Sequence, residues 1–333
     1  MYSRILCLLG TLALVASAFA SKEHPVIGLS LDTLKEERWI SDRDTFIKEA
    51  QKRGAQVIVQ SATSDDTRQV RDVESLISRG VDVLVIVPHN GEAMGRAVKS
   101  ANEAHIPVIS YDRLIMNCAV DYYLSFDNVK VGEAQAAYAV KFLPQDRPAR
   151  IVRILGSRTD QNAVMFKQGQ DNILNPLIAS GKIKVLHEDW ALDWKPELGK
   201  KIMNAALTKN GDAIDQVIVT NDGTAGGAIQ ALLEEGLAGK VLVTGQDADL
   251  AACQRILRGT QSMTVYKPVK KLATLAANIA VDIATGIKPQ TTQTINNRFK
   301  EVPSIFEAVV TVDKSNLMQT VVADGFHSEA EIK

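Results

Sequence analysis

From Pro25 onward, short β-branched runs alternate with longer amphipathic stretches. VIGLSL at 26 to 31 precedes a run in which Trp39, Phe46, Ile47 and Ala50 share one helical face. QVIVQS at 56 to 61 precedes another, marked by Val70, Val73, Leu76 and Ile77, and DVLVIVP (82 to 88) and IPVISYD (106 to 112) continue the alternation. The apolar runs lack a period of two, so they predict strands covered on both faces, as in a parallel sheet flanked by helices. The expected class is α/β.

After about residue 128 the same grammar starts again. ARIVRILG (149 to 156), KIKVLHEDW (182 to 190), DQVIVTND (215 to 222) and KVLVTGQD (240 to 247) alternate with helical segments such as 223 to 236. This predicts two similar lobes, each with its own parallel sheet. A late helical run, 272 to 284, and a strand-like AVVTV, 308 to 312, must return to one lobe or the other, which implies more than two crossing strands. Parallel sheets bind ligands beyond the carboxyl ends of their strands. Asp112 and Arg113 occupy that place in the first half, Asn221 and Asp247 in the second, and facing strand ends make a cleft. Adjacent strand residues point to opposite faces, so Asp112 and Arg113 are not expected to pair with each other.

The first twenty residues change the picture at one end. Arg4, an apolar run from Ile5 and the ending Ala18, Phe19, Ala20 have the layout of a secretory signal peptide, with cleavage expected after Ala20 and export to the periplasm. Loss of Arg4 takes the 38 basic residues to 37 against 39 acidic ones. That balance argues against a nucleic-acid or anionic-membrane partner. Cys118 and Cys253 survive the cut, too few for a disulfide framework, and are read as free thiols.

Catalytic constellations are scarce. The five histidines, 24, 89, 105, 187 and 327, are scattered without a zinc-binding spacing, and neither a G-x-S-x-G elbow nor a Walker loop occurs. NDGTAGG, 221 to 227, lacks dinucleotide spacing; Asp222 is expected to cap the following helix, with Gly226 and Gly227 packing it on the sheet. What remains is a kit of Asp, Asn, Arg and Lys at strand ends, with tryptophans at 39, 190 and 194. Carboxylates, amides and guanidinium forks hydrogen-bond hydroxyls, and an aromatic face covers the C–H surface of a sugar ring. The set suits a neutral polyhydroxylated ligand and requires no cofactor or metal.

LKEERWISDRD (34 to 44), RGVDVLVIVPHNG (79 to 91), ISYDR (109 to 113), SFDNVKVGE (125 to 133), TNDGTAGGAIQAL (220 to 232), GQDADL (245 to 250) and MTVYKP (263 to 268) resemble the sugar-binding periplasmic proteins of bacterial ABC importers. Within the ribose- and galactose-binding group the likeness is to the D-xylose binders, and it runs from about Val26 to Gly325. The resemblance implies a type I periplasmic binding fold with three crossing strands and hinge closure over a sugar. It implies lobes of residues 21 to 127 with 268 to 297, and 128 to 267 with 298 to 333. It implies a monomer that hands D-xylose to an inner-membrane permease and does no chemistry. Carried over by position, the sugar contacts are Arg38, Trp39, Asp112 and Arg113 from the first lobe. Asp160, Asn162, Trp194, Asn221, Asp247 and Lys267 come from the other, with Lys35 a lesser candidate. The chain departs from the pattern at Gln161-Asn162, where the family has adjacent asparagines, and in the spacing before Trp194. Two alternatives stay open: another monosaccharide such as ribose, arabinose or glucose, and a sugar-processing enzyme using Asp112, Asp160 and Asp247. A regulator's effector domain would need a helix-turn-helix before residue 25, where the signal-like stretch stands.

Overall fold

The computed structural model describes residues 23–333; the expected signal peptide lies outside the described residues. The first half runs β1 (Val26–Leu31), α1 (Glu37–Lys52), β2 (Gln56–Ser61), α2 (Asp66–Ser78), β3 (Val83–Ile86), α3 (Gly95–Glu103), β4 (Val108–Tyr111) and β5 (Tyr122–Phe126). The chain then crosses into α4 (Asn128–Val140), β6 (Ala149–Leu155), α5 (Gln161–Ala179), β7 (Ile183–Trp190), α6 (Pro196–Asn210), β8 (Gln216–Val219), α7 (Asp222–Glu234), β9 (Leu242–Val243), α8 (Leu250–Arg258) and β10 (Met263–Tyr266). It returns through α9 (Val269–Ala284), β11 (Gln293–Asn296) and β12 (Glu301–Glu307), then leaves again as β13 (Val310–Asp313).

Two large sheets result, as the repeated grammar predicts, and β10 with β13 forms a separate two-stranded one. The first has seven strands in the order β11-β12-β5-β4-β3-β1-β2, parallel apart from β11; the second has four parallel strands, β7-β6-β8-β9. α1 and α9 cover one face of the first sheet with Trp39, Phe46, Leu272 and Ala276. Val73 and Leu76 of α2 and Ala97 and Ala101 of α3 cover the other. Phe46 and Leu76 are wholly buried, worth about 1.5–3 kcal/mol each in transfer free energy. In the second lobe α6 and α7 lie on one face and α4 and α5 on the other.

Several expectations are corrected. The tail 298 to 333, implied to sit wholly with the second lobe, divides: β12 pairs in parallel with β5, and only from β13, antiparallel to β10, does the chain rejoin the second lobe. The chain therefore passes between lobes three times, at 127, near 267 and at 308. KVLVTGQD keeps only Leu242–Val243 as strand. In NDGTAGG it is Asn221 that caps α7, accepting from Thr224 N at 3.1 Å, while Asp222 turns inward to Gln261 and Thr264. Gly227 packs on α6 rather than on the sheet: a Cβ there would lie 1.9 Å from the Pro196 carbonyl, so the two helix backbones touch. Cys118 and Cys253 are free and buried, and burial pushes the Cys118 thiol up to about 11.

Candidate functional site

The carboxyl ends of the two sheets face each other, and strand-end side chains fill the gap between them. Tyr111 ends β4, and the next backbone turns left-handed at Asp112, with φ 58°, so its carboxylate leaves the strand line and points toward α1. Asp247, φ 99°, and Trp194, φ 57°, are turned the same way. Left-handed backbone in residues other than glycine costs about 1–3 kcal/mol, a strain that gathers where side-chain aim matters.

Asp112 and Arg113 take different partners, although both lie past the end of β4, where strand alternation no longer applies. Arg38 Nη2 donates to Asp112 Oδ2 at 2.8 Å, and Asn162 Nδ2 donates to Asp112 Oδ1 at 3.1 Å from the other lobe. Arg113 donates through Nη1 to Asp32 at 2.7 Å, and its Nε lies 2.8 Å from Asp160 Oδ2 across the cleft. Asp160 also caps α5 by accepting from Asn162 N and takes the Trp194 indole N–H at 3.2 Å. Lys267 Nζ lies 3.0 Å from Asp247 Oδ1, and Arg38 Nη1 lies 3.7 Å from the same oxygen. The Trp39 ring has the Arg38 guanidinium 4.1 Å from its centre and that of Arg113 at 5.3 Å.

All ten residues named from the sequence line one cavity, and none of them is more than 8% exposed. Lys35 does not reach it; its ammonium sits at the rim and donates to the Asp193 carbonyl at 3.3 Å. Three further residues line the cavity: Glu36, Phe166 and Gln246. Phe166 follows Asn162 by four residues and so shares its helix face, a signal the sequence carried. Gln246 and Glu36 merely neighbour named residues. The space between the lining atoms, part of it open to solvent, is about 350 Å³, at the small end for organic ligands. Glu36 Oε2, Arg38 Nε and Gln246 Oε1 are buried at its wall without a hydrogen-bond partner, and Asp247 Oδ1 meets only its ion-pair neighbours Lys267 and Arg38. Among the described residues no cluster of His, Cys, Asp and Glu is arranged to hold a metal ion.

A family model described as a periplasmic binding protein domain matches residues 27–288. The chain belongs to that family. The D-xylose-binding periplasmic proteins of Escherichia coli (strain K12) and Haemophilus influenzae are each 47% identical to it, over 328 and 330 residues. Those alignments cover 98% and 99% of this chain and 98% of each relative. A solute-binding protein of a carbohydrate transporter from Chloroflexus aurantiacus, solved with D-glucose, superposes with a TM-score of 0.87 at 32% identity, covering 93% of this chain and 98% of that one.

Titratable groups behind the cleft of this periplasmic binding protein carry a consequence for stability. Burial raises Asp42 to about 6 against the opposing charge of Arg38, and burial raises Asp222 to about 7 against Arg255. Burial also holds Asp249 well above the carboxylate range. Asp112 goes the other way: Arg38, then Lys267 and Arg113, outweigh its burial and lower it. The unfolded chain releases the Asp42 and Asp222 protons near 3.8, the folded chain only near 6 and 7, so stability falls as pH rises through that window. Asp112 titrates below the window and does not reverse the trend. With one pKa unit worth about 1.4 kcal/mol, and about one unit from Asp42 and about two from Asp222 lying above pH 5, the sugar-free protein is expected to lose on the order of 4 kcal/mol between pH 5 and 7.5. That corresponds to a melting temperature lower by roughly 8 °C for a chain of this size. Thermal melts across this range check it; a flat or rising curve would contradict it.

Proposed function

We propose that this chain is a periplasmic receptor that captures D-xylose between its lobes and delivers it to an inner-membrane ABC permease. The observation that carries the reading is the wall of the cavity. Donors and acceptors from both lobes converge on a space suited to one sugar ring, with buried polar atoms of Glu36, Arg38 and Gln246 left for a ligand's hydroxyls. Trp39, Trp194 and Phe166 supply flat apolar surface for ring C–H groups. The sugar identity follows from the likeness to the D-xylose-binding relatives.

In this reading Arg38, Trp39, Asp112 and Arg113 hold the sugar from the first lobe. Asp160, Asn162, Trp194, Asn221 and Asp247 hold it from the second, and Lys267 holds it from the crossing after β10. We assign the lobes to residues up to 127 with 268 to 307, and to 128 to 267 with 310 onward. The sugar touches both lobes only when they are together, so it draws the population toward closure. Each of the three aspartates in the cleft has a cation beside it: Asp112 has Arg38, Asp160 has Arg113 and Asp247 has Lys267. A general acid and base need freely titrating groups at one bond, so this pairing favours binding without catalysis.

A ligand that binds only the folded state stabilises it by about 2.7 kcal/mol at a hundred times its dissociation constant. A thermal-shift panel of D-xylose, ribose, arabinose, glucose and galactose therefore tests the reading. D-xylose is expected to raise the melting temperature most at equal concentration. Equal shifts for all five sugars would refute the xylose assignment, and no shift for any would refute the receptor.

A further inference from the structure

The loop after β3 reaches across the cleft mouth outside the cavity. Gly91 N donates to the Thr159 carbonyl of the second lobe at 3.1 Å, and His89 lies two residues earlier. The His89 ring stands between two carboxylates: Nδ1 is 2.7 Å from Asp66 Oδ1 at the start of α2, and Nε2 is 3.3 Å from Asp193 Oδ1 of the second lobe. A carboxylate only accepts, so both ring nitrogens must donate, and only the imidazolium has two N–H groups.

We propose that His89 is a proton-dependent latch, tying the first lobe to Asp193 when the cleft closes, so that capture of sugar takes up a proton. The inference rests on the receptor reading above. Asp66 stays with His89 in any arrangement of the lobes, because both belong to the first; Asp193 arrives only on closure. The second carboxylate thus favours the charged ring in the closed form alone, and by linkage protonation favours closing.

The other charges facing the ring fit this role. Asp32 lies in the same lobe but is already engaged by Arg113 at 2.7 Å. Asn90 Nδ2 takes the second oxygen of Asp66 at 3.0 Å and leaves the first to His89. Lys195 lies 3.0 Å from Asp193 Oδ2, and Lys35 donates to the Asp193 carbonyl, so two lysines hold Asp193 in place without occupying the oxygen that meets His89. Asp193 itself has left-handed backbone, φ 54°, which turns its carboxylate to the rim while the next residue, Trp194, faces the cavity. Burial opposes the charge on His89, but Asp32, Asp66 and Asp193 outweigh it and raise the ring's pKa.

The test is calorimetric titration of D-xylose into the full mature chain from pH 6 to 8.5, repeated near pH 7 in two buffers of different ionisation heat. Sign and size follow from the latch. The closed form binds the extra proton, so affinity is highest below the open-form pKa of His89. It then falls about two- to fivefold as pH rises, the range that a partly exposed ion pair supports. The buffer dependence of the heat then reports fractional proton uptake. His89→Gln and, from the opposite lobe, Asp193→Asn should each flatten the profile and reduce the uptake. Sugar binding with the same profile in the native chain and both variants overturns the latch alone. Absence of any sugar heat overturns the receptor reading and the latch with it.

Discussion

Asp112→Ala is expected to weaken D-xylose binding by a hundredfold or more and to lower the melting temperature of the sugar-free protein. Asp112 holds Arg38 at 2.8 Å and accepts from Asn162 across the cleft, and it is 2% exposed. Removing one partner of a buried ion pair leaves the other charge stranded, at a cost of about 3–5 kcal/mol. Arg38 keeps only longer contacts, with Asp42 at 3.4 Å and Asp247 at 3.7 Å. Alanine also tolerates the left-handed backbone at this position less well than aspartate does. At about 1.4 kcal/mol per decade, even 3 kcal/mol spread over stability and binding is readily measured. Asp112→Asn keeps the shape and one acceptor but loses the charge, so it should fall between the two. Calorimetry with parallel melts separates the effects; an alanine variant that binds xylose within threefold of the native chain would contradict the assignment.

Gly156→Ala should be nearly as damaging, although Gly156 donates and accepts nothing in the cavity. A Cβ at this position, just past the end of β6, would lie 2.0, 2.2 and 2.5 Å from three carbons of the Trp194 ring. The backbone behind glycine is the back wall of the slot that seats the indole. Trp194 is fixed there by its bond to Asp160 and by the edge of Phe166, 6.2 Å between ring centres, so it cannot yield by a small rotation. Overpacking costs typically 1–3 kcal/mol, and expelling the ring also takes a donor from Asp160 and an aromatic face from the cavity. The expected result is a loss of about a hundredfold in affinity, with tryptophan emission shifted to the red. In a Trp194→Ala background the same change should cost little further, because contacting residues are not additive. Unchanged xylose affinity in Gly156→Ala would contradict this account.

Much of this molecule could be read from residue patterns because parallel strands buried on both faces leave a strong apolar trace. β1, β2, β3, β4, β6, β7 and β8 fall within the runs named from the sequence. The strands left unnamed carry other traces. β5, YYLSF, is aromatic at its start and polar at Ser125, and β12, EVPSIFE, contains a proline and ends in acid, so neither resembles an aliphatic run. Single-residue roles were harder to read than elements. Asn221 and Asp222 both precede α7, and either side chain could cap it; only packing shows that Gln261 and Thr264 draw Asp222 inward. The ten cavity residues came from position at strand ends together with family resemblance, and the fold brings them together. Glu36 and Gln246 escaped because nothing in the local pattern sets them apart from solvated neighbours.

The parallel pairing of β12 with β5 sets an order of assembly. Ser304 lies opposite Tyr123, so the first sheet joins strands separated by the whole of the second sheet. Residues 128 to 266 hold all four strands of the second sheet in one continuous stretch, whereas the first sheet lacks β11 and β12 until nearly the last residues have emerged. A chain threaded across a membrane from its amino end therefore presents the second lobe for folding while β5 is still an open edge. Unpaired edges of that kind invite association with other chains. Of the two large sheets, the one that begins first in the sequence is the one completed last.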